Sequence, residues 1–208
     1  MRYQIVTIAR TLGAGGEDVG QAAAEQLGFR YADDEIIAAA AERAGVDKSA
    51  VERAERRPGL IARILDVMAT VPVEPSLYYG QALSMPAVEP SVGYDELIRN
   101  VILATATASN VVIVAHGAGI CLARTSGVLR VLVTASPELR AARIAEASSV
   151  DIERARKAVA QSDRDRQDFL RRFYNVREEL PTHYDLTVST DALSVGDAAH
   201  LVMAAARL

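Results

Sequence analysis

Short runs of β-branched residues alternate with alanine-rich stretches along this chain, and this alternation constrains its fold more than any other feature. Buried parallel strands appear in a sequence as continuous apolar runs, and helices usually connect them. Because segments of helical length separate the runs, the sequence predicts an α/β fold with a three-layer parallel sheet. The predicted strands cover residues 4–9, 111–115, 129–134 and 185–189.

Helix signals follow three of these predicted strands. Segment 17–27 is closed by Gly28, the residue type that most easily adopts the left-handed conformation at a helix end. Ser136 and Pro137 are typical of an N-cap and a first helical residue, and they predict a helix to about residue 147. Ser194 is expected to cap a helix that continues to residue 208, and residues 151–174 are predicted as a charged helix or helix pair.

The 208 residues allow one domain, or one domain with an insertion. Residues 35–95 fit neither strand nor simple connection. Their first part predicts helices broken by glycine and proline, and residues 71–93 hold four prolines and two glycines, which indicates a long irregular loop. We therefore predict a single domain over residues 1–208 that carries a helical and irregular insertion over residues 35–95.

Charge and composition exclude several function classes. The chain has 23 basic and 27 acidic residues, a net charge of −4, so no overall positive field attracts nucleic acid or an anionic membrane. Residues 100–123 carry no charge, but polar residues interrupt the segment, and we interpret it as a helix followed by a strand rather than as a membrane span. The lone Cys121 with three histidines gives neither a disulfide within the chain nor a structural zinc cluster, and the expected compartment is the cytoplasm.

A glycine-rich loop joins the first predicted strand to the first predicted helix, with the sequence Arg-Thr-Leu-Gly-Ala-Gly-Gly-Glu-Asp over residues 10–18. Glycines there let successive backbone N–H groups turn toward an anion at a helix N-terminus. A phosphate-binding P-loop also needs a lysine and then a hydroxyl, but this chain has Gly16, Glu17 and Asp18 in those places. The alternative is a tight strand-to-helix turn whose two acidic residues stabilise the helix dipole.

A second candidate is the arginine-rich segment 138–177, which holds 10 basic and 7 acidic residues, a net charge of +3. Arg140 and Arg143 are three residues apart and share a helical face, and planar guanidinium groups match phosphate oxygens in a bidentate way. Asp163 and Arg166 follow in the same segment. The alternative is a solvated helix face with Asp–Arg pairs.

Several motifs occur in one order over nearly the whole chain, and together they resemble the cytidylate kinase-like family, the bacterial branch related to cytidylate kinase. Each motif is loose by itself, so the resemblance depends on their order and spacing. The motifs are residues 7–10 running into the glycines of residues 13–16, then residues 31–37, 112–119, 136–143, 163–166 and 184–186.

The resemblance implies a P-loop nucleoside-monophosphate kinase fold that transfers the γ-phosphoryl group of ATP to CMP, dCMP or a related small acceptor, with Mg²⁺. The glycine loop would hold the ATP phosphates, the insertion 35–95 would bind the monophosphate, and residues 138–177 would form a lid. The implied partner is a small-molecule nucleotide. The implied residues are Arg140, Arg143, Asp163 and Arg166 as catalytic residues, Arg10, Gly13, Ala14, Gly15, Gly16, Asp33 and His116 as nucleotide or phosphate contacts, and Asp18 as a metal ligand.

Some residues depart from the family pattern. Gly16 stands in place of the P-loop lysine, and Glu17 stands where this branch usually has an arginine. His116 and Gly117 replace an Arg-Asp pair that would hold the substrate nucleotide, and Asp34 replaces an arginine. These departures leave a second function open, a catalytically impaired nucleotide- or anion-binding protein on the same fold.

Two further points stay open at this level. In the lid segment, Asp165 could take the place of Asp163, but this register puts Asp168 where an arginine is required. It also stays open whether the first part of the insertion, residues 35–70, forms a homodimer contact.

Overall fold

The computed structural model describes residues 2–33, 36, 94–115 and 117–208. Within these residues, five strands form one parallel sheet in the order β2-β3-β1-β4-β5. The elements in chain order are β1 (Ile5–Arg10), α1 (Gly16–Leu27), β2 (Arg30–Ala32), α2 (Tyr94–Thr107), β3 (Val111–Val114), α3 (Ala118–Cys121), β4 (Val128–Thr134), α4 (Pro137–Ser148), α5 (Ile152–Tyr174), a 3-10 turn (Pro181–His183), β5 (Leu186–Ser189) and α6 (Val195–Arg207).

The central strand β1 is covered on both faces. It pairs with β3 on one side, where Ile5 lies opposite Val111, and with β4 on the other, where Ile5 lies opposite Val128. Val6 and Ile8 pack toward α1 and α6, whereas Ile5 belongs to the core formed with α2 and α3. Alternate residues of one strand thus serve two cores, as expected for a sheet between two helical layers. The prediction of a three-layer parallel α/β fold is confirmed.

The four predicted strands lie within one residue of β1, β3, β4 and β5. Strand β2 was not predicted, because it has only three residues and one fully buried side chain, Ala32. Residues 151–174 form the single helix α5, with Asp151 as its N-cap, rather than a helix pair. The insertion 35–95 falls almost entirely outside the described residues, so the single-domain organisation stays a prediction.

The predicted helix caps are present, with one difference in detail. The Ser194 side chain accepts a hydrogen bond from the amide of Asp197, whose carboxylate in turn bonds the Ser194 amide, a reciprocal capping box. Ser136 precedes Pro137 at the start of α4, but its side chain makes no capping bond. Its amide instead donates to the Asp191 carboxylate at 2.7 Å, which ties the start of α4 to the loop after β5.

Within the described ranges, no helix combines the length and the apolar composition that a membrane crossing requires.

Gly28 provides a test of the caps. It has a left-handed φ of 68°, and its amide contacts the carbonyl oxygens of Ala24 and Glu25. We expect Gly28→Ala to lower the free energy of unfolding by about 1 kcal/mol, because the left-handed conformation is strained for a residue with a Cβ. The matched control is Gly196→Ala in the first turn of α6, where the nearest atom to an added Cβ is 3.7 Å away. This variant should raise stability by about 0.5 kcal/mol. Equal changes in the free energy of urea unfolding for the two variants would contradict the conclusion that helix α1 requires glycine at residue 28.

Candidate functional site

The glycine loop, residues 11–15, lies at the carboxyl end of β1 and leads directly into α1. Gly13 and Gly15 have φ values of 78° and 74°, which side-chain-bearing residues rarely adopt. A Cβ on Gly13 would also approach the carbonyl oxygen of Arg140 to 2.8 Å. The glycine at residue 13 is therefore required both by its backbone conformation and by the close approach of α4.

Three successive carbonyl groups of the loop are bound from outside it. Arg140 Nη1 donates to the carbonyl oxygen of Leu12 at 3.4 Å, and Arg143 Nη1 donates to that of Gly13 at 3.3 Å. The third, on Ala14, accepts a 2.9 Å hydrogen bond from the Thr190 hydroxyl. These three hydrogen bonds fix the loop carbonyls to α4 and to Thr190, the residue that follows β5.

Thr190 links these supports. It is 2% exposed, its hydroxyl accepts from Arg143 Nη1 at 2.9 Å, and its carbonyl accepts from Arg143 Nη2 at 2.7 Å. One arginine therefore holds both the loop and the threonine that supports the loop. Thr190 was not among the predicted residues, although it directly follows a parallel strand, where ligand sites of open α/β sheets occur.

The opposite side of the loop carries unsatisfied donors. Within the described part of the chain, the amides of Gly15 through Asp18 donate to no backbone carbonyl. The N-terminal amides of any α-helix lack partners in the helix, and they carry its partial positive charge. Amides without a partner at a helix N-terminus are the groups with which proteins commonly bind anions.

Arg10, at the end of β1, brings a further cation to this loop. Its Nε forms an ion pair with the carboxylate of Glu17 in the first turn of α1. Its side chain also lies over Gly16, where a Cβ would collide with Arg10 Cβ and come within 3.1 Å of Cγ. The space into which a residue-16 side chain would extend is thus filled by an arginine from the strand end.

Arg140 connects α4, α5 and the loop. It is 3% exposed, and its Nη1 and Nη2 donate to the two carboxylate oxygens of Asp163 at 2.9 and 2.7 Å. The structure therefore brings Arg140 and Asp163 together, as residues of one ion pair behind the loop. Arg143 lies beside this pair, with its guanidinium engaged by Gly13 and Thr190.

Arg166 of α5 forms a second bidentate ion pair, with Glu179. Arg166 Nε and Nη2 donate to the Glu179 carboxylate at 2.7 and 2.5 Å, and the hydroxyl of the buried Tyr184 donates to the same carboxylate. Burial alone would raise the pKa of Glu179, but the hydrogen bonds and charge of Arg166 outweigh burial and hold this pKa below its ordinary value. No sequence signal identified Glu179, because its partner is 13 residues away and on another element.

A cavity of about 290 Å³ lies between these groups. Its wall combines the glycine loop, α5 and the segment before the 3-10 turn. The lining residues are Thr11, Asp163, Arg166, Gln167, Glu178 and Glu179.

The remaining predicted residues lie around the loop or outside the described ranges. Asp33 follows β2 and accepts a hydrogen bond from the hydroxyl of Tyr31, and burial together with the negative charge of Asp33 raises the pKa of Tyr31 to about 12. Asp18 is exposed in the first turn of α1, and the described ranges contain no group of three or more side chains arranged to hold a metal ion. His116 and Asp34 lie outside the described residues. The functional roles of all the predicted site residues stay predictions.

The sheet order with a glycine loop after its central strand defines a fold of the P-loop kinase type. The chain belongs to the cytidylate kinase-like family, whose model matches residues 5–192. This membership supports a nucleotide kinase-like function at the level of the family. No curated protein matches the sequence.

Three solved structures show the same fold at low sequence identity. An uncharacterized protein from Eubacterium ventriosum ATCC 27560 has 16% identity and a TM-score of 0.63, over 98% of both chains. A shikimate kinase from Bacteroides thetaiotaomicron has 15% identity and a TM-score of 0.53, again over 98% of both chains. A shikimate kinase from Acinetobacter baumannii in complex with shikimate has 14% identity and a TM-score of 0.50, over 97% of this chain and 91% of that one.

The buried hydroxyl of Thr190 can be tested by an isosteric change. Thr190→Val removes the donor to Ala14 and an acceptor for Arg143, and we expect it to lower the free energy of unfolding by about 1–3 kcal/mol because both partners lose a buried hydrogen bond. Thr187→Val, at an exposed residue of β5, is the matched control and should stay within about 0.5 kcal/mol of wild type. Urea unfolding of the three proteins measures the difference, and a similar loss in both variants would contradict the role of Thr190.

Proposed function

We propose that the protein is an ATP-dependent phosphotransferase that acts on CMP, dCMP or a related small acceptor. The observation that carries this proposal is the set of three loop carbonyls bound from outside by Arg140, Arg143 and Thr190. This arrangement leaves the amides at the start of α1 for the phosphates of a nucleotide. The proposal implies a cytoplasmic enzyme whose partners are small-molecule nucleotides.

The cavity offers one guanidinium group for this chemistry, that of Arg166, among the carboxylates of Asp163, Glu178 and Glu179. Phosphoryl transfer is catalysed mainly by positioning and by positive charge around the transferred group, so it does not require a protein base on the phosphate. Arg166 lines the cavity, and Thr11 of the loop lines it from the other side. We assign Arg166 to the transferred phosphate and the loop amides to the remaining phosphates of ATP.

Mg²⁺ fits this arrangement as an ion that arrives with the nucleotide. Mg²⁺ usually keeps several waters and binds through one or two carboxylates together with substrate phosphates, rather than in a site made wholly of protein. The exposed Asp18 carboxylate at the start of α1 would hold it, and the ion would neutralise charge on the phosphates.

A coupled ADP-release assay tests the proposed activity. We expect turnover with ATP, Mg²⁺ and one member of a panel of small acceptors, with CMP and dCMP first and UMP, AMP, GMP and shikimate after them. Arg10→Met should lower kcat/KM about tenfold or more, because it removes the cation beside the loop. Arg171→Met removes an exposed arginine of α5 outside the cavity lining and should leave kcat/KM within about twofold. Absence of transfer to every acceptor at high enzyme concentration would contradict the proposal.

The second candidate is a nucleotide- or anion-binding protein that does not transfer phosphate. The observation that favours it is the ion pair of Arg10 with Glu17, which engages the loop cation with a carboxylate. Binding of ATP in calorimetry without turnover in the coupled assay would support this function over the first. Absence of binding by any nucleotide would contradict both.

Substitutions at residues 10, 16 and 17 test whether Arg10 supplies the charge of the missing lysine. Glu17→Gln should strengthen ATP binding about threefold or more, since it removes a carboxylate from the loop and releases Arg10. Glu25→Gln, at an exposed residue of the same helix, is the control. Gly16→Lys alone should not strengthen binding because its Cβ collides with the Cβ of Arg10. With Arg10→Gly also present, which removes that Cβ, Gly16→Lys should improve binding relative to Arg10→Gly alone. Stronger ATP binding by Gly16→Lys alone would show that Arg10 does not occupy that space.

A further inference from the structure

Arg166 is held along one edge of its guanidinium group. Nε donates to one oxygen of Glu179, and Nη2 donates to the other oxygen and to the Tyr184 hydroxyl at 3.4 Å. These contacts use the donors of Nε and Nη2, and Nη1 has no hydrogen-bond partner within the described part of the chain. An arginine has five N–H donors in a fixed plane, so fixing one edge also fixes the direction of the other.

The Glu179 carboxylate that binds Arg166 is itself fixed by Tyr184. The Tyr184 hydroxyl donates to Glu179, and Tyr184 is 8% exposed, so its ring anchors the hydroxyl in the interior. The side chains of Arg166 and Glu179 are both about four-fifths buried. A charged pair with this burial and this number of hydrogen bonds loses its side-chain freedom when the protein folds, before any ligand arrives.

The other charged side chains that line the cavity explain why the orientation of the Arg166 guanidinium matters. The cavity beside Arg166 is also lined by Asp163 and Glu178. Asp163 is paired with Arg140, but Glu178 has no partner within the described residues. An anionic ligand therefore meets carboxylates in this cavity, and it depends on a donor edge of Arg166 that is presented in one direction.

We propose that Glu179 and Tyr184 are positioning residues that orient Arg166, so that its free Nη1 edge receives a phosphate group of the nucleotide in this cavity. The proposal rests on the proposed function for the class of ligand, and it adds two residues that act through Arg166 rather than on the ligand. Preorganised donors accelerate transfer because no reorientation is needed when charge develops.

A double-mutant cycle with ATP as the ligand tests the proposal. We expect Glu179→Gln to weaken ATP binding about tenfold in calorimetry, because the guanidinium loses the charge that fixes its plane. In an Arg166→Met background the same substitution should change the Kd less than about twofold, since a residue that acts through Arg166 has no effect without it. Tyr184→Phe should weaken binding less than Glu179→Gln, and it provides a second measurement if Glu179→Gln does not fold.

The matched control is Glu178→Gln, which removes from the same cavity a carboxylate that forms no hydrogen bond or ion pair with Arg166 within the described residues. It should bind ATP no more weakly than wild type, because it removes a repelling charge. If Glu179 acted only through the charge of the cavity, Glu179→Gln would strengthen binding as well. The two substitutions thus separate positioning from general electrostatics by the sign of their effects.

The side-chain Nε–H resonance of Arg166 gives a readout that needs no ligand. In wild type, the hydrogen bond to Glu179 should shift this resonance from that of a solvent-exposed arginine and protect the proton from exchange with water. The protection should be lost in Glu179→Gln, while the backbone amide spectrum remains that of the folded protein. Unchanged ATP binding and unchanged protection in Glu179→Gln would overturn the proposal and leave the proposed function standing. The cycle as expected, with no transfer to any acceptor, would support the positioning role and reject the kinase activity.

Discussion

The support of the glycine loop from outside is the interaction on which the rest of the site depends. A loop of glycines has many accessible conformations, and glycine loses more conformational entropy on folding than any other residue. Arg140, Arg143 and Thr190 restrict the loop by binding its three successive carbonyl oxygens. These residues come from α4 and from the end of β5, so the packing of α4 and β5 on the sheet determines where the loop amides lie.

The layers of the fold could be predicted from sequence, because buried parallel strands are apolar along their whole length. The runs at residues 111–115 and 129–134 therefore identified β3 and β4 within one residue. The short β2 escaped the same argument, since its three residues show no pattern of their own and depend on pairing with β3. The residue types at helix ends were equally informative, and Gly28 and Ser194 occupy the predicted C-cap of α1 and N-cap of α6.

The site was predictable only in part. The sequence identified the loop and the arginines of α4 and α5, because glycine spacing and helical periodicity are local. It did not show which carboxylate each arginine contacts, since Arg166 and Glu179 meet through the path of the chain between α5 and β5. The absence of a lysine at residue 16 also has a structural account that sequence could not supply. Arg10 from β1 already fills that space, so glycine is the residue that fits.

The contact between Thr190 and Ala14 joins residues that are 176 apart in the chain. During synthesis, the glycine loop therefore emerges well before the side chain that fixes its third carbonyl. The early segment must therefore wait for the docking of β5 before its amides are held for a ligand. The conformation of the glycine loop is consequently a property of the assembled sheet, and it depends on β5 having joined β4.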